Sequence, residues 1–226
     1  MNILIVSATI LESKNLIKLF DLKQVSNNLY TKKIKKNSLN ILISGIGLSF
    51  TTYALSKALF KKKYDLVINT GIAGSFNKNI DIGDVVQVVS ERFADLGIRD
   101  KNSFIDIFEA GFLNANEYPF ENAELKSSNI ENSVLKKIKQ VKGISVNTTS
   151  GNQSEIIQLQ KKYNPDIESM EGAAVFYVCH KENIPVLEIR SISNYVEERN
   201  KSKWNIPLAI KKLDDFFMLF LKELEM

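Results

Sequence analysis

Apolar runs and polar breaks divide the chain into alternating strands and helices. Asn2-Ile3-Leu4-Ile5-Val6-Ser7 is almost unbroken in its apolarity, as expected of a strand covered on both faces in a parallel sheet. A helix is predicted from near Glu12 to Phe20, burying Leu16, Leu19 and Phe20. Strands follow over Tyr30 to Lys35 and Leu39 to Ser44, and Gly45-Ile46-Gly47 then opens a helix from about Ser49 to Phe60 with Leu55, Ala58 and Leu59 on its buried stripe. Asp65 to Thr70 reads as a strand ending in a small-residue loop, Gly71-Ile72-Ala73-Gly74-Ser75, and Gly83 to Val89 as a strand that continues toward Arg92 to Leu96.

The second half is less regular at first. Gly97 to Phe120 has no clear period, yet Phe104, Ile105, Phe108, Phe112, Tyr118 and Phe120 recur within it, and so many apolar residues on a long loop predict a covered surface. Asn132 to Gln140 reads as a short amphipathic helix, Gly143 to Asn147 as a strand, and Thr148 to Asn152 as a polar loop. A short strand, Asp166 to Ser169, leads to Glu171 and a helix to about Glu182, apolar on nearly every side through Val175, Phe176, Val178 and Cys179. Such a helix must be buried. After the break at Pro185, a strand from Val186 carries Arg190 and Asn194 at its far end. Tyr195 to Lys203 is a charged loop, and Pro207 to about Glu225 places Leu213, Phe216, Phe217, Phe220, Leu221 and Leu224 at helical spacing.

Composition narrows the class. The 226 residues suffice for one substantial core, and no linker, repeat or low-complexity tract divides them; a single domain over residues 1–226 is expected. Thirty basic against 26 acidic residues is a mild excess. It lies in Lys32 to Lys36 and Lys61 to Lys63, without interleaved aromatics and glycines, so nucleic acid is not an expected partner. Met1 leads directly into the first strand and no apolar run approaches a membrane span; a cytoplasmic protein is expected. One cysteine, Cys179, and one histidine, His180, make a poor metal set and read as packing. Gly45-Ile46-Gly47 lacks the third glycine of a dinucleotide fingerprint, Phe50 standing in its place, which argues against NAD. No cofactor and no metal are expected.

In an open sheet of parallel strands, ligands bind beyond the C-terminal strand ends. Glu171, Arg190 and Asn194 delivered there together predict a small-molecule site. Met170-Glu171-Gly172-Ala173-Ala174, then Arg190-x-x-Ser193-Asn194, and Asn69-Thr70-Gly71-Ile72-Ala73-Gly74-Ser75 upstream resemble the nucleoside phosphorylase and nucleosidase superfamily. Within it the chain is most similar to hydrolases of methylthioadenosine, S-adenosylhomocysteine or futalosine, from Asn2 to the last helix. The resemblance implies a three-layer α/β/α fold around a central mixed, mostly parallel, twisted sheet. It implies a homodimer whose contact uses the 97–120 region, which also lines the pocket around the 5′ substituent.

The same resemblance implies residue roles. Glu12, after the first strand, would be the general base for the attacking water; from position alone the favoured reading is an ordinary helix-start carboxylate. Glu171 would hold the ribose hydroxyls and stabilise a cationic sugar, and Arg190 would orient Glu171 through a two-pronged contact. A buried ion pair without catalysis is the plain alternative for those two. Ile72, Ala73 and Gly74 would lie along the ribose, Ser150, Gly151 and Asn152 near the purine, Met170 against the substrate, and Trp204 over the base.

Asn194 stands where relatives acting on adenine nucleosides carry aspartate. An amide offers one acceptor and one two-proton donor, so it can accept from N7–H and donate to a 6-oxo group. That polarity, with Ser-Asn-Tyr-Val-Glu-Glu-Arg and Trp204-Asn205-Ile206-Pro207 following, resembles futalosine hydrolases, which release hypoxanthine in menaquinone biosynthesis. Arg199 or Arg99 is a candidate for the aryl carboxylate of futalosine, with solvent exposure as its plain reading. The alternatives are an adenine nucleosidase (methylthioadenosine, S-adenosylhomocysteine or aminofutalosine), a 6-oxopurine phosphorylase, and a non-catalytic nucleoside-binding protein. No arginine occurs in the first seventy residues to hold phosphate.

Overall fold

A computed structural model describes residues 1–101 and 103–224. The elements in order are β1 (Asn2–Ser7), α1 (Ile10–Leu19), β2 (Lys23–Ser26), β3 (Leu29–Ile34), β4 (Asn37–Ile43), α2 (Leu48–Lys61), β5 (Leu66–Ser75) and β6 (Val85–Glu91). They continue with β7 (Gly97–Asp100), β8 (Ser103–Asp106), β9 (Leu125–Lys126), β10 (Lys139–Ser145), α3 (Gln153–Tyr163), β11 (Ile167–Ser169), α4 (Gly172–Lys181), β12 (Val186–Tyr195) and α5 (Ile206–Glu223).

One mixed sheet orders its strands β11-β10-β6-β12-β5-β1-β4-β3-β2. The run β4-β1-β5-β12 is parallel, and β6 enters antiparallel to β12. β11 pairs with β10 on one side and with β5 on the other, so five strands curl into a closed ring at one end. Helices cover both faces. The α2 and α4 side buries Leu55, Val175, Phe176 and Cys179 against Leu4, Val6 and Val67; the opposite side buries Leu16 of α1 and Phe216, Phe217 and Phe220 of α5 against Ile3, Ile5 and Ile189. The three-layer α/β/α expectation holds.

Several local expectations give way. Gly71 to Ser75 is strand, not loop: β5 runs straight through it and pairs with Arg190 to Tyr195 of β12. Its residues are small because their neighbours' side chains fill the space, as the site below makes plain. The amphipathic helix expected over Asn132 to Gln140 is a single tight turn, Leu135–Lys137, because β10 already begins at Lys139. Part of the irregular 97–120 region is the β7–β8 hairpin. β2 and α3 arise without having been singled out; β2 is exposed along its length, and α3 buries only Ile156. α5 is described to Leu224, and Glu225 lies outside the described residues. No described helix is long and apolar enough to cross a membrane.

Candidate active site

A cleft of about 360 Å³ opens above the C-terminal ends of β1, β5 and β12, within the range that holds a nucleoside-sized ligand. Ile72, Ala73, Gly74, Ser150, Met170, Asn194 and Trp204 line it with Glu12 and Glu171. Gly151 and Asn152 do not: Asn152 caps α3, its Oδ1 accepting from Ser154 N at 2.9 Å.

Glu12 sits in the first turn of α1, where the carboxylate accepts from its own N-cap: Thr9 N and Thr9 Oγ1 donate to Oε2 at 3.0 and 2.9 Å. Its other oxygen, Oε1, accepts from Ile72 N at 3.1 Å. The helix-start reading and the catalytic placement are therefore compatible, since the cap turns the carboxylate toward the cleft.

Glu171 is the N-cap residue of α4 and is buried. Gly47, at φ 91°, donates its N–H to Glu171 Oε1 at 3.1 Å, a contact the Gly-x-Gly turn did not disclose. Arg190 Nη2 meets Glu171 Oε2 at 3.4 Å. The contact is single, not the two-pronged one expected, because the guanidinium Nε is committed to Glu188 Oε1 at 2.7 Å. Burial pushes the Glu171 carboxyl above its ordinary value, opposed by Arg190 and the Gly47 N–H. Burial also works against the charge on Arg190, yet Glu188 and Glu171 outweigh it and hold the guanidinium above its usual range.

Gly71 explains itself here. A Cβ on it would stand 2.6 Å from both Arg190 Nη1 and Glu12 Oε1; the missing side chain lets these two groups converge.

Gly74 is the register partner of Asn194 on β12 and of Glu168 on β11. It carries no side chain between these two, and a Cβ there would meet Val196 Cγ2 at 2.9 Å and Asn194 Nδ2 at 3.2 Å. Asn194 Nδ2 donates to Tyr195 O at 3.0 Å and Oδ1 accepts from Ser193 Oγ at 2.7 Å. The carbonyl partner fixes which end is nitrogen, and each end keeps one hydrogen-bonding position free. Glu168, not foreseen from the sequence, accepts from Ser150 N at 3.1 Å and Ser150 Oγ at 2.6 Å. Burial raises its carboxyl, and the two Ser150 donors pull it back.

At the rim, Arg199 lies over Trp204, 5.5 Å from the ring centroid, and donates to Thr149 Oγ1 at 3.3 Å. Arg99 belongs to a separate hollow beside Lys162 and Tyr163. Among the described residues no cluster of three metal-ligating side chains occurs.

Residues 2–222 match the phosphorylase superfamily, to which the chain belongs. A futalosine hydrolase from Acidothermus cellulolyticus is 31% identical over 181 residues, 79% of this chain and 73% of that one. A 5′-methylthioadenosine/S-adenosylhomocysteine nucleosidase from Glaesserella parasuis is 28% identical over 202 residues, 85% of this chain and 84% of that one. In fold, a futalosine hydrolase mutant from Helicobacter pylori superposes with a TM-score of 0.83 at 20% identity, covering 99% of each chain. Within the superfamily, the chain is a nucleosidase, an N-glycosyl hydrolase.

Proposed function

We propose that the enzyme hydrolyses the N-glycosidic bond of a 6-oxopurine nucleoside, futalosine, releasing hypoxanthine and dehypoxanthine futalosine in menaquinone biosynthesis. The observation that carries this reading is the pair Asn194 and Glu168 standing either side of bare Gly74. A 6-oxopurine laid there offers an N1–H, a carbonyl oxygen and, on departure, an N7–H. The Asn194 amide serves the last two, and an ionised Glu168 accepts the first. Adenine presents an acceptor at N1 and an amino group at C6, and opposes both partners; mispairing of this kind costs several orders of magnitude in turnover.

The chemistry follows from the charges. Glu12 takes the proton of a water, Glu171 holds the ribose hydroxyls and stabilises the cationic sugar, and the departing base takes up a proton from solvent at N7, where Asn194 Oδ1 accepts a hydrogen bond from the new N–H. Water is favoured over phosphate as nucleophile because five glutamates and a single arginine line the cleft. That arginine, Arg199, is the candidate to pair with a carboxylate on the 5′ substituent.

The reading includes a cytoplasmic enzyme working as a homodimer through the 97–120 region, where Phe112 and Tyr118 remain exposed at 70% and 59%. A monomeric mass in sedimentation at micromolar concentration would contradict the dimer. The activity itself is tested by incubating the pure protein with futalosine, inosine and methylthioadenosine in phosphate-free buffer and resolving the released base. Hypoxanthine from futalosine is expected; adenine as the preferred product, or release only on adding phosphate, defeats the proposal.

A further inference from the structure

Behind Arg190, away from the cleft, lie two carboxyls with no exposure at all: Glu91 at the end of β6 and Glu188 on β12. Glu188 Oε1 is saturated, accepting from Arg190 Nε at 2.7 Å and Asn69 Nδ2 at 3.1 Å. Glu91 Oε2 accepts from Ser145 Oγ at 2.7 Å, and that hydroxyl itself accepts from Ala173 N at 2.8 Å, so its proton is spent on Glu91. Glu188 Oε2 and Glu91 Oε1 are left, both buried and both without a partner.

The two orphans face each other. Each lies 2.5 Å from the place a Cβ on Gly172 would occupy, and Glu91 is within hydrogen-bonding reach of Glu188. Two buried carboxylates cannot share that space with only one guanidinium beside them, because the repulsion of like charges and the loss of hydration both oppose ionisation. One proton placed between the two orphaned oxygens satisfies every remaining atom.

We infer that Glu91 is an un-ionised carboxylic acid that donates its proton to Glu188 Oε2, and that it acts as a positioning residue for the nucleosidase reaction. The proton holds Glu188, Glu188 holds Arg190 Nε, and the free guanidinium edge is thereby aimed at Glu171 and Ile72 O. An ionised Glu91 would compete with Glu188 and Glu171 for the same cation. Gly172 of the Met-Glu-Gly unit and Gly143 of β10 are glycines for this reason, a Cβ on the latter falling 2.3 Å from Glu91 Oε1.

Glutamine is the neutral mimic: its carbonyl accepts from Ser145 and its amide donates to Glu188. Leucine fills similar volume and donates nothing. Activity is measured on whichever of futalosine and methylthioadenosine the wild type cleaves faster, so the test stands apart from the choice of substrate. Glu91→Gln is expected to keep kcat within about three-fold, whereas Glu91→Leu lowers it about 10- to 100-fold with KM little changed, the scale typical of lost orienting partners. In the infrared at pH 8 in D2O, Glu91→Gln is expected to lose a carbonyl stretch of an un-ionised carboxyl. Superimposable spectra would overturn the assignment, as would equal kcat losses in the two variants or wild-type kcat in Glu91→Leu. If Glu91→Leu does not fold, the Glu91→Gln spectrum decides alone.

Discussion

Glu188 and Arg190, two positions apart on one face of β12, are joined side chain to side chain at 2.7 Å, while Arg190 reaches Glu171 only at 3.4 Å. The guanidinium is held from behind and presents its free edge to the site. Replacing Arg190 by methionine strands buried carboxylates on both sides, and loss of one partner of a buried pair costs about 3–5 kcal/mol. Urea denaturation of Arg190→Met should show a loss of that size; a loss below about 1 kcal/mol would mean the surrounding carboxyls do not depend on this cation.

Glutamine at position 12 can keep the contact to Thr9 N, since both Glu and Gln serve a capping box. Its amide then faces the Ile72 N–H, so Glu12→Gln should fold with a stability loss of about 1–3 kcal/mol and lose about 10²- to 10⁴-fold in kcat, the usual worth of a positioned base. A near-normal kcat would remove Glu12 from the proton-transfer role.

The base pocket is probed from the ligand side. 1-Methylinosine lacks the N1–H that Glu168 is proposed to accept. Glu168→Gln should lower kcat/KM on inosine by about ten-fold or more, and leave the already poor 1-methylinosine unaffected, because only the former loses a charged acceptor. Equal losses on both nucleosides would show that Glu168 acts on the fold of the Ser150 loop and not on the base.

Gly71→Ala places a methyl 2.6 Å from Arg190 Nη1 and Glu12 Oε1. One or both groups must move, and misplacement of about 1 Å costs on the order of 10²-fold in rate. Circular dichroism should remain that of the wild type while kcat falls; unchanged kcat would contradict the convergence of these two groups.

Stability should fall as pH rises. Glu91 and Glu188 both have carboxyls raised above the ordinary value of 4.5, chiefly by burial; the charge of Glu188 adds to the rise at Glu91 against Ser145 and Arg190, while at Glu188 Arg190 and the hydrogen bond from Glu91 work against it. Between 4.5 and the raised value the unfolded chain has released a proton that the folded chain retains, so folded stability is full below the window and is lost through it. One such proton is worth about 1.4 kcal/mol per pH unit. The stability of Glu91→Gln, followed by urea denaturation from about pH 5 upward, should decline less steeply by up to that slope. Parallel curves would place the retained proton elsewhere.

Much of this was readable in the chain because it follows apolar periodicity. The bounds of β1 and the buried stripe of α5 come straight from their patterns. Glu12, Glu171 and Asn194, singled out with the help of the family resemblance, line one cleft, and Arg190 reaches Glu171 behind it. Gly71 to Ser75 misled because small residues read as a loop, when they are small to admit side chains from β12 and α1. Glu91 and Glu188 went unnoticed for the opposite reason. A lone charge inside an apolar strand, as in Val186-Leu187-Glu188-Ile189, was the signal, and it has meaning only once a second carboxyl is known to lie opposite. Glu168 was hidden in a three-residue strand whose register to Gly74 depends on the ring closing.

The floor of the cleft is sheet: β5 and β12 run beneath it, ten residues each, paired along their length but for one register shift between Ile192 and Asn194. For that floor to flex, the pairing that holds the sheet together would have to give way. On heating, catalytic competence is expected to vanish together with the fold itself, at one shared temperature.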